Sequence, residues 1–369
     1  MKPLAGVRVV ELARILAGPW CGQLLADLGA TVVKVERPGA GDDTRHWGPP
    51  FLLGADGENL DAAYFHSCNR GKQSVAIDIA SLQGQQQLRA LIAGADVVIE
   101  NYKVGGLRKY GLDADSLRAA NPRLVVCSIT GFGQTGPYAH RAGYDFIIQG
   151  MGGFMSLTGE PDGAPQKAGI AYADLFTGTY SAVAILAALR RRDATGEGAH
   201  IDMALLDTQV AVLANQAMNW MASGTVPGRM GNGHANLAPY QAFACADGDL
   251  IVAVGNDGQF ARLCGVLGLD LHHDARFTTN PGRVTNRAAM IPPLATAIAH
   301  WRKADLYEAL ERVGVPAGPI NRVDEVFADP QVVARGMRIA SDGLPGVASP
   351  IVIDGERMVS GRPSPKRPG

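Results

Sequence analysis

Cysteine is scarce and scattered. Five cysteines (Cys21, Cys68, Cys127, Cys245 and Cys264) lie far apart in 369 residues, and none forms a C-x-x-C pair. That argues against a disulfide scaffold and a cysteine zinc site, and favours a reducing compartment. Charge of one sign is not in excess either. Lys plus Arg is 34 and Asp plus Glu is 35, a net charge of −1. No broad attraction to nucleic acid or to an anionic membrane follows from such a balance. Aromatics are only 6%, which lowers the weight of an all-β reading. The longest apolar stretch, around Tyr180 to Leu189, falls short of the roughly 20 residues that cross a bilayer. Arg8, Glu11 and Arg14 interrupt the N-terminus too early for a signal peptide. The expectation is a soluble, cytoplasmic protein with neither nucleic acid nor membrane as partner.

What is present supports a large folded chain. The hydrophobic fraction is 47% and the charged fraction 19%, enough for a sizeable core. The length suggests two domains. The first half alternates strand and helix signals. Strands are expected at Val7–Leu12, Thr31–Glu36, Ser74–Ile79, Asp96–Glu100 and Arg123–Thr130. Helices are expected at Pro19–Leu28, Leu82–Leu91 and Asp113–Ala120. Apolar strands alternating with helices predict an α/β fold with a parallel sheet. Tyr172–Arg192 and Asp202–Met221 read as further helices, and Ser223–Gly233 as linker-like. The expected division is a large domain over 1–205 completed by about 330–369, a linker over 206–230, and a small α+β domain over 231–320.

Four motifs invite a chemical reading. Gly131-Phe-Gly133-Gln-Thr-Gly136 fits G-x-G-x-x-G after a strand, the pattern of a dinucleotide-binding turn and hence of a dehydrogenase. Pro137 follows at once and no apolar helical period comes next, so a glycine-rich turn is the better reading. Tyr144-Asp145 lies in a loop beyond a strand end, where open α/β sheets bind ligands. Asp174 opens a strongly apolar helix. It reads as an N-cap, as a carboxylate nucleophile, or as both. Arg37, Arg45, Arg70, Lys72, Lys103, Arg108 and Lys109 fall mostly near strand ends, and on one sheet edge they would suit a polyanion. His272-His273 lacks carboxylate or Cys partners at ligand spacing, so no metal is expected.

Several segments together resemble the family III CoA-transferases, a group that includes CoA-transferases and 2-methylacyl-CoA racemases. They include Pro3–Leu12, Ala17-Gly-Pro19, Leu28–Arg37, Gly41–Arg45, Asn69-Arg-Gly-Lys72, Glu100-Asn-Tyr102, Gly131-Phe-Gly133, Gly143-Tyr-Asp145, Ala173-Asp174 and Asn236–Gln241. The resemblance covers nearly the whole chain. It implies an open Rossmann-like sheet, a smaller domain and an interlocked homodimer. It implies Asp174 as the nucleophile toward an acyl-CoA thioester, Asp145 in support and Tyr144 near the thioester. Leu16, Ala17, Arg37, Ile77, Asn101, Tyr102 and Lys109 match CoA-contacting positions. Coenzyme A is then a substrate, no cofactor is tightly bound, and a small carboxylic acid is the second partner, with succinyl-CoA or a similar thioester as donor. Racemases of the family carry His where Tyr144 stands. Tyr, with a reference pKa of about 10, moves an α-proton poorly at neutral pH, so transfer is favoured over racemisation. The family usually has Gly-Glu-His-Thr and a helix near its end, where this sequence has Pro363-Ser-Pro-Lys-Arg-Pro. Either some packing around the large domain is expected to be missing, or the sequence is truncated there.

Overall fold

A computed structural model of the chain describes residues 1–54 and 56–368. Six strands form one parallel sheet: β1 (Arg8–Glu11), β2 (Thr31–Glu36), β3 (Lys72–Ala76), β4 (Val97–Glu100), β5 (Val125–Thr130) and β6 (Ala199–Ala204). Their order is β3-β2-β1-β4-β5-β6, with every neighbouring pair parallel. The order reverses between β1 and β4. Chains leaving these two strands diverge to opposite sides and leave a crevice at their carboxyl ends.

Successive strand residues feed two cores. Val9, Val97, Ile99 and Cys127 face α1 (Ala17–Asp27) and the long central helix that carries Ile185 and Leu189. Val10, Val98 and Val126 face α2 (Leu82–Ala93) and α3 (Ala114–Ala120) through Leu88, Ile92 and Leu117. All four residues of β4 are buried. A strand covered on both faces has no room for polar alternation, which is why these runs were readable. α4 (Asp145–Met151) and α5 (Tyr172–Thr195) follow β5. At 24 residues α5 is long and apolar enough to cross a membrane, which corrects the expected limit on apolar length. It is a core helix, with Ala173, Ala182, Ile185 and Leu189 buried against the sheet. Gly178 lets it approach α1: a Cβ there would lie 2.5 Å from the Ala17 carbonyl oxygen.

The chain divides into two compact units. The first holds residues 1–154, 167–213 and 329–368, and the second holds Met155–Gln166 and Ala214–Ala328. The second has its own three-stranded antiparallel sheet, β7 (Tyr240–Cys245), β8 (Gly248–Ala253) and β9 (Ala317–Pro319), in the order β9-β8-β7. Phe243, Leu250, Phe260, Met290 and Leu306 are buried in its core.

Three expectations are corrected. The single helix over 202–221 is in fact β6 followed by helices Leu205–Ala211 and Ala214–Ser223. β6 is paired on one side only, so its residues alternate in exposure and blur into the helical pattern that follows. The linker over 206–230 is largely those two helices. Residues 155–166 join the second unit because Arg229 donates to the Gly163 carbonyl (2.7 Å) and the Gly231 N–H to the Gly159 carbonyl (3.0 Å). Bonds across some 70 residues leave no local sequence signal.

Candidate active site

Asp174 is the third residue of α5 and does not cap it. Ala171 takes the cap position and offers no side-chain acceptor. The bare N–H groups of the first turn find their acceptor in another helix. Asp145 Oδ1 accepts from the backbone N–H of Ala173 (2.8 Å) and of Asp174 (3.2 Å). Asp145 Oδ2 accepts from Gln149 Nε2 at 2.6 Å. Gln149, fully buried, accepts from the Ala168 N–H at 2.8 Å and so fixes the segment leading into α5. Asp145 therefore performs the capping that position alone suggested for Asp174.

The Asp174 carboxyl is left without that stabilisation. Burial pushes its pKa up, and the negative charge of Asp145 adds to the effect, bringing it to about 7. The carboxyl groups of Asp145 and Asp174 thus hold different tasks: one is hydrogen-bonded and structural, the other is uncommitted and costly to ionise. Tyr144 is the N-cap residue of α4 and its side chain is exposed.

The structure brings Leu16, Ala17, Arg37, Ile77, Asn101 and Tyr102 to the carboxyl edge of β1 to β4. Leu16 and Ala17 begin α1 beyond β1, and both are buried. Asn101 spans the crevice: its Oδ1 accepts from the Arg14 N–H (2.9 Å) and its Nδ2 donates to the Arg14 carbonyl (2.7 Å). Arg37, exposed, and Arg14 both reach Asp43, at 3.5 and 2.6 Å. Lys109 lies further along the loop, exposed, with its ammonium 4.7 Å from the Tyr110 ring centre.

Residues 4–367 match the family described as CoA-transferase family III. The chain belongs to CoA-transferase family III. A succinate–glutarate CoA-transferase of Agrobacterium fabrum is 58% identical over 370 residues, covering 99% of this chain and 92% of that one. A succinyl-CoA:glutarate CoA-transferase of Mus musculus is 44% identical, covering 91% of this chain and 76% of that one. Among solved structures, a CAIB/BAIF family protein from Brucella suis is 59% identical with a TM-score of 0.88, covering 99% of this chain and 96% of that one.

Within this family III CoA-transferase, three of the seven basic residues expected to face a polyanion do something else. Lys72 lies 2.8 Å from Glu11, Arg45 pairs with Glu36 (2.6 Å) and Asp61 (2.5 Å), and Arg70 pairs with Asp27 (2.7 Å), all buried. Lys34 joins the same cluster through Glu11 (3.0 Å) and Asp42 (2.8 Å). Buried charges persist only when paired in this way. The segments Leu28–Arg37, Gly41–Arg45 and Asn69–Lys72, which carried the resemblance, thus largely encode an ion cluster. Arg37, Lys103, Arg108 and Lys109 remain exposed. The Gly131 motif serves a backbone contact, because a Cβ on Gly131 would lie 2.5 Å from the Gly143 Cα. His272-His273 does have a carboxylate neighbour, which corrects that expectation: ligand atoms of Asp270, His272 and His273 lie within 4.8 Å of one another, with Asp270 and His273 exposed.

Two residues escaped the sequence reading. Arg14, bonded to Asn101, stands at the crevice with a partly exposed guanidinium. Tyr64 lies close enough to Asp174 that the aspartate's charge, after burial, raises its phenol pKa. Arg14 lies between the end of β1 and Ala17, a position that could have drawn attention. Nothing near Tyr64 in the sequence points to Asp174.

Proposed function

We propose that this chain transfers CoA from succinyl-CoA to a dicarboxylic acid of glutarate size through a covalent intermediate on Asp174. What carries the reading is the uncommitted, burial-perturbed carboxylate of Asp174 in a chain 58% identical to a succinate–glutarate CoA-transferase. The ionised carboxylate attacks the thioester carbonyl. The C–S bond breaks, giving a mixed anhydride on Asp174 and CoA thiolate. The thiolate then attacks the aspartyl carbonyl of the anhydride and expels succinate, leaving an aspartyl-CoA thioester. The acceptor carboxylate attacks that thioester, forming a second anhydride and releasing thiolate again. Attack of the thiolate on the acceptor's acyl carbon yields the new acyl-CoA and restores the Asp174 carboxylate. Acylation removes a charge that burial penalises, so the site favours the covalent state.

Asp145 supports this chemistry by holding the first turn of α5 and by keeping the Asp174 pKa high. The crevice residues Leu16, Ala17, Arg37, Ile77, Asn101 and Tyr102 are read as the CoA contacts, with Lys109 reaching phosphate from the loop. Coenzyme A serves as substrate and no bound cofactor enters the cycle. The five cysteines are free, in keeping with a reducing, cytoplasmic setting. We read the protein as a homodimer. Phe176, Tyr180 and Val183 form an exposed apolar stripe along α5, and Phe146, Ile147 and Met151 are exposed on α4. Exposed apolar side chains grouped in this way mark an interaction surface.

The test is mass spectrometry of protein given succinyl-CoA, a chiral 2-methylacyl-CoA and a pool of mono- and dicarboxylic acids in deuterated buffer. The expected products are glutaryl-CoA and succinate, with no deuterium at an α-carbon. Asp174→Ala is expected to form neither product while keeping its fold. Full activity in that variant, or α-deuteration without a new thioester, would overturn the reading.

A further inference from the structure

Glu100 ends β4, next to the two residues read as touching CoA, and nothing so far gives it a task. It is 8% exposed, and no cation pairs with it among the described residues. Its Oε2 accepts from the Tyr102 backbone N–H at 2.8 Å. The Ser128 side chain, opposite it on β5, lies near its carboxylate and favours the charged form. Ser128 Oγ in turn lies 3.0 Å from His200 Nε2 on β6. A chain of polar side chains, His200, Ser128 and Glu100, thus runs from β6 through β5 to the turn after β4. A cavity of about 270 Å³, lined in part by Glu100, Tyr102, Lys103, Ser128 and His200, flanks this chain.

A buried carboxylate without a cation is costly, and burial accordingly raises the Glu100 pKa. A purely structural strand end would be better served by an apolar residue. The carboxylate instead reaches past Asn101 to hold the Tyr102 N–H, while Asn101 itself is bound in both directions to Arg14. The turn at the point where the strand order reverses is thus clamped from two sides.

We propose that Glu100 is a positioning residue for the acyl-CoA, holding with Ser128 and His200 the turn that presents Asn101 and Tyr102 to the nucleotide of the thioester. The inference rests on the reading that Asn101 and Tyr102 contact CoA. Glu100→Gln keeps an acceptor for the Tyr102 N–H, Glu100→Ala removes it, and Ser128→Ala removes the support behind it.

Steady-state kinetics with succinyl-CoA and glutarate separate the effects. Glu100→Ala is expected to raise KM for succinyl-CoA about tenfold, a loss typical of one binding interaction. KM for glutarate and kcat should stay within about twofold. Glu100→Gln should recover most of the loss, and Ser128→Ala should fall between. Equal changes in both KM values, a fall in kcat alone, or Glu100→Gln as damaged as Glu100→Ala would overturn the proposal. Should Glu100→Ala fail to fold, the donor-specific rise in Ser128→Ala decides, and its absence counts against the proposal. Asn101→Ala and Tyr102→Ala are measured alongside. If they leave KM for succinyl-CoA unchanged, the CoA-contact reading and the proposal fall together. If they raise it while the Glu100 and Ser128 variants do not, the proposal alone fails.

Discussion

At the scale of single residues, the Asp145 and Asp174 pair sets the pH behaviour. In the proposed mechanism Asp174 attacks only as the anion, and its pKa is pushed to about 7. The value of kcat/KM is therefore expected to rise with pH up to a plateau, with an inflection near 7. Asp145→Asn removes the neighbouring charge but not the burial, so the inflection should move down without returning to the ordinary aspartate range. A pH–rate profile of both proteins checks this. The same shift bears on stability. The folded state keeps the Asp174 proton above the pKa at which the unfolded chain loses it. Stability from this group is full below about pH 4 and drains away as pH climbs to about 7. Asp174→Asn does not titrate. It should be inactive, and its stability advantage over the parent should grow by roughly 3 kcal/mol between pH 5 and pH 8.5. An unchanged difference between the two pH values would contradict the assignment.

At the scale of elements, legibility followed burial. β2 and β4 were readable because TVVKVE and VVIE are covered by helices on both faces. β6 was not, because its exposure alternates at the sheet's edge. The candidate nucleophile was found by resemblance, whereas its local role was misread. The cap of α5 comes from Asp145, 29 positions away, and no short window of sequence contains both. The packing of α1 on α5 was equally hidden, since one glycine among 46 decides it. Gly178→Ala places a methyl 2.5 Å from the Ala17 carbonyl oxygen. Overpacking of this kind costs about 1–3 kcal/mol, and the start of α1 carries Leu16 and Ala17. The expected outcome is a lower urea midpoint together with a raised KM for the acyl-CoA. A neutral substitution would mean that the helices part at no cost.

At the scale of the whole molecule, the last part of the chain is tied to its first part. Arg367 pairs with Asp61 at 2.6 Å, and the Ser360 N–H donates to Asp27 at 2.7 Å. The apolar stripe on α5 is the surface proposed above for a second copy. Light scattering is expected to give a mass near twice 38.8 kDa. Val183→Asp, placing a charge where an exposed apolar side chain stands, should return the protein to a monomer with its folded spectrum intact. A parent protein of monomer mass would remove that surface from the account.

The buried ion cluster has a consequence for an enzyme that handles activated thioesters. Such donors modify lysine amines spontaneously, and the modification needs a free nitrogen lone pair. Lys72 directs its ammonium at Glu11, Asn69 and the Pro19 carbonyl, and Lys34 directs its own at Glu11, Asp42 and the Ala13 carbonyl. An ammonium has three protons to donate, and in both lysines all three are engaged. Lys34 is also held charged by its partners, and both lysines are buried out of reach of a thioester, while Lys103 and Lys109 stand in solvent. Peptide mapping after long incubation with succinyl-CoA should find succinyl marks on Lys103 and Lys109 and none on Lys34 or Lys72. The ion cluster then protects the enzyme from damage by its own substrate.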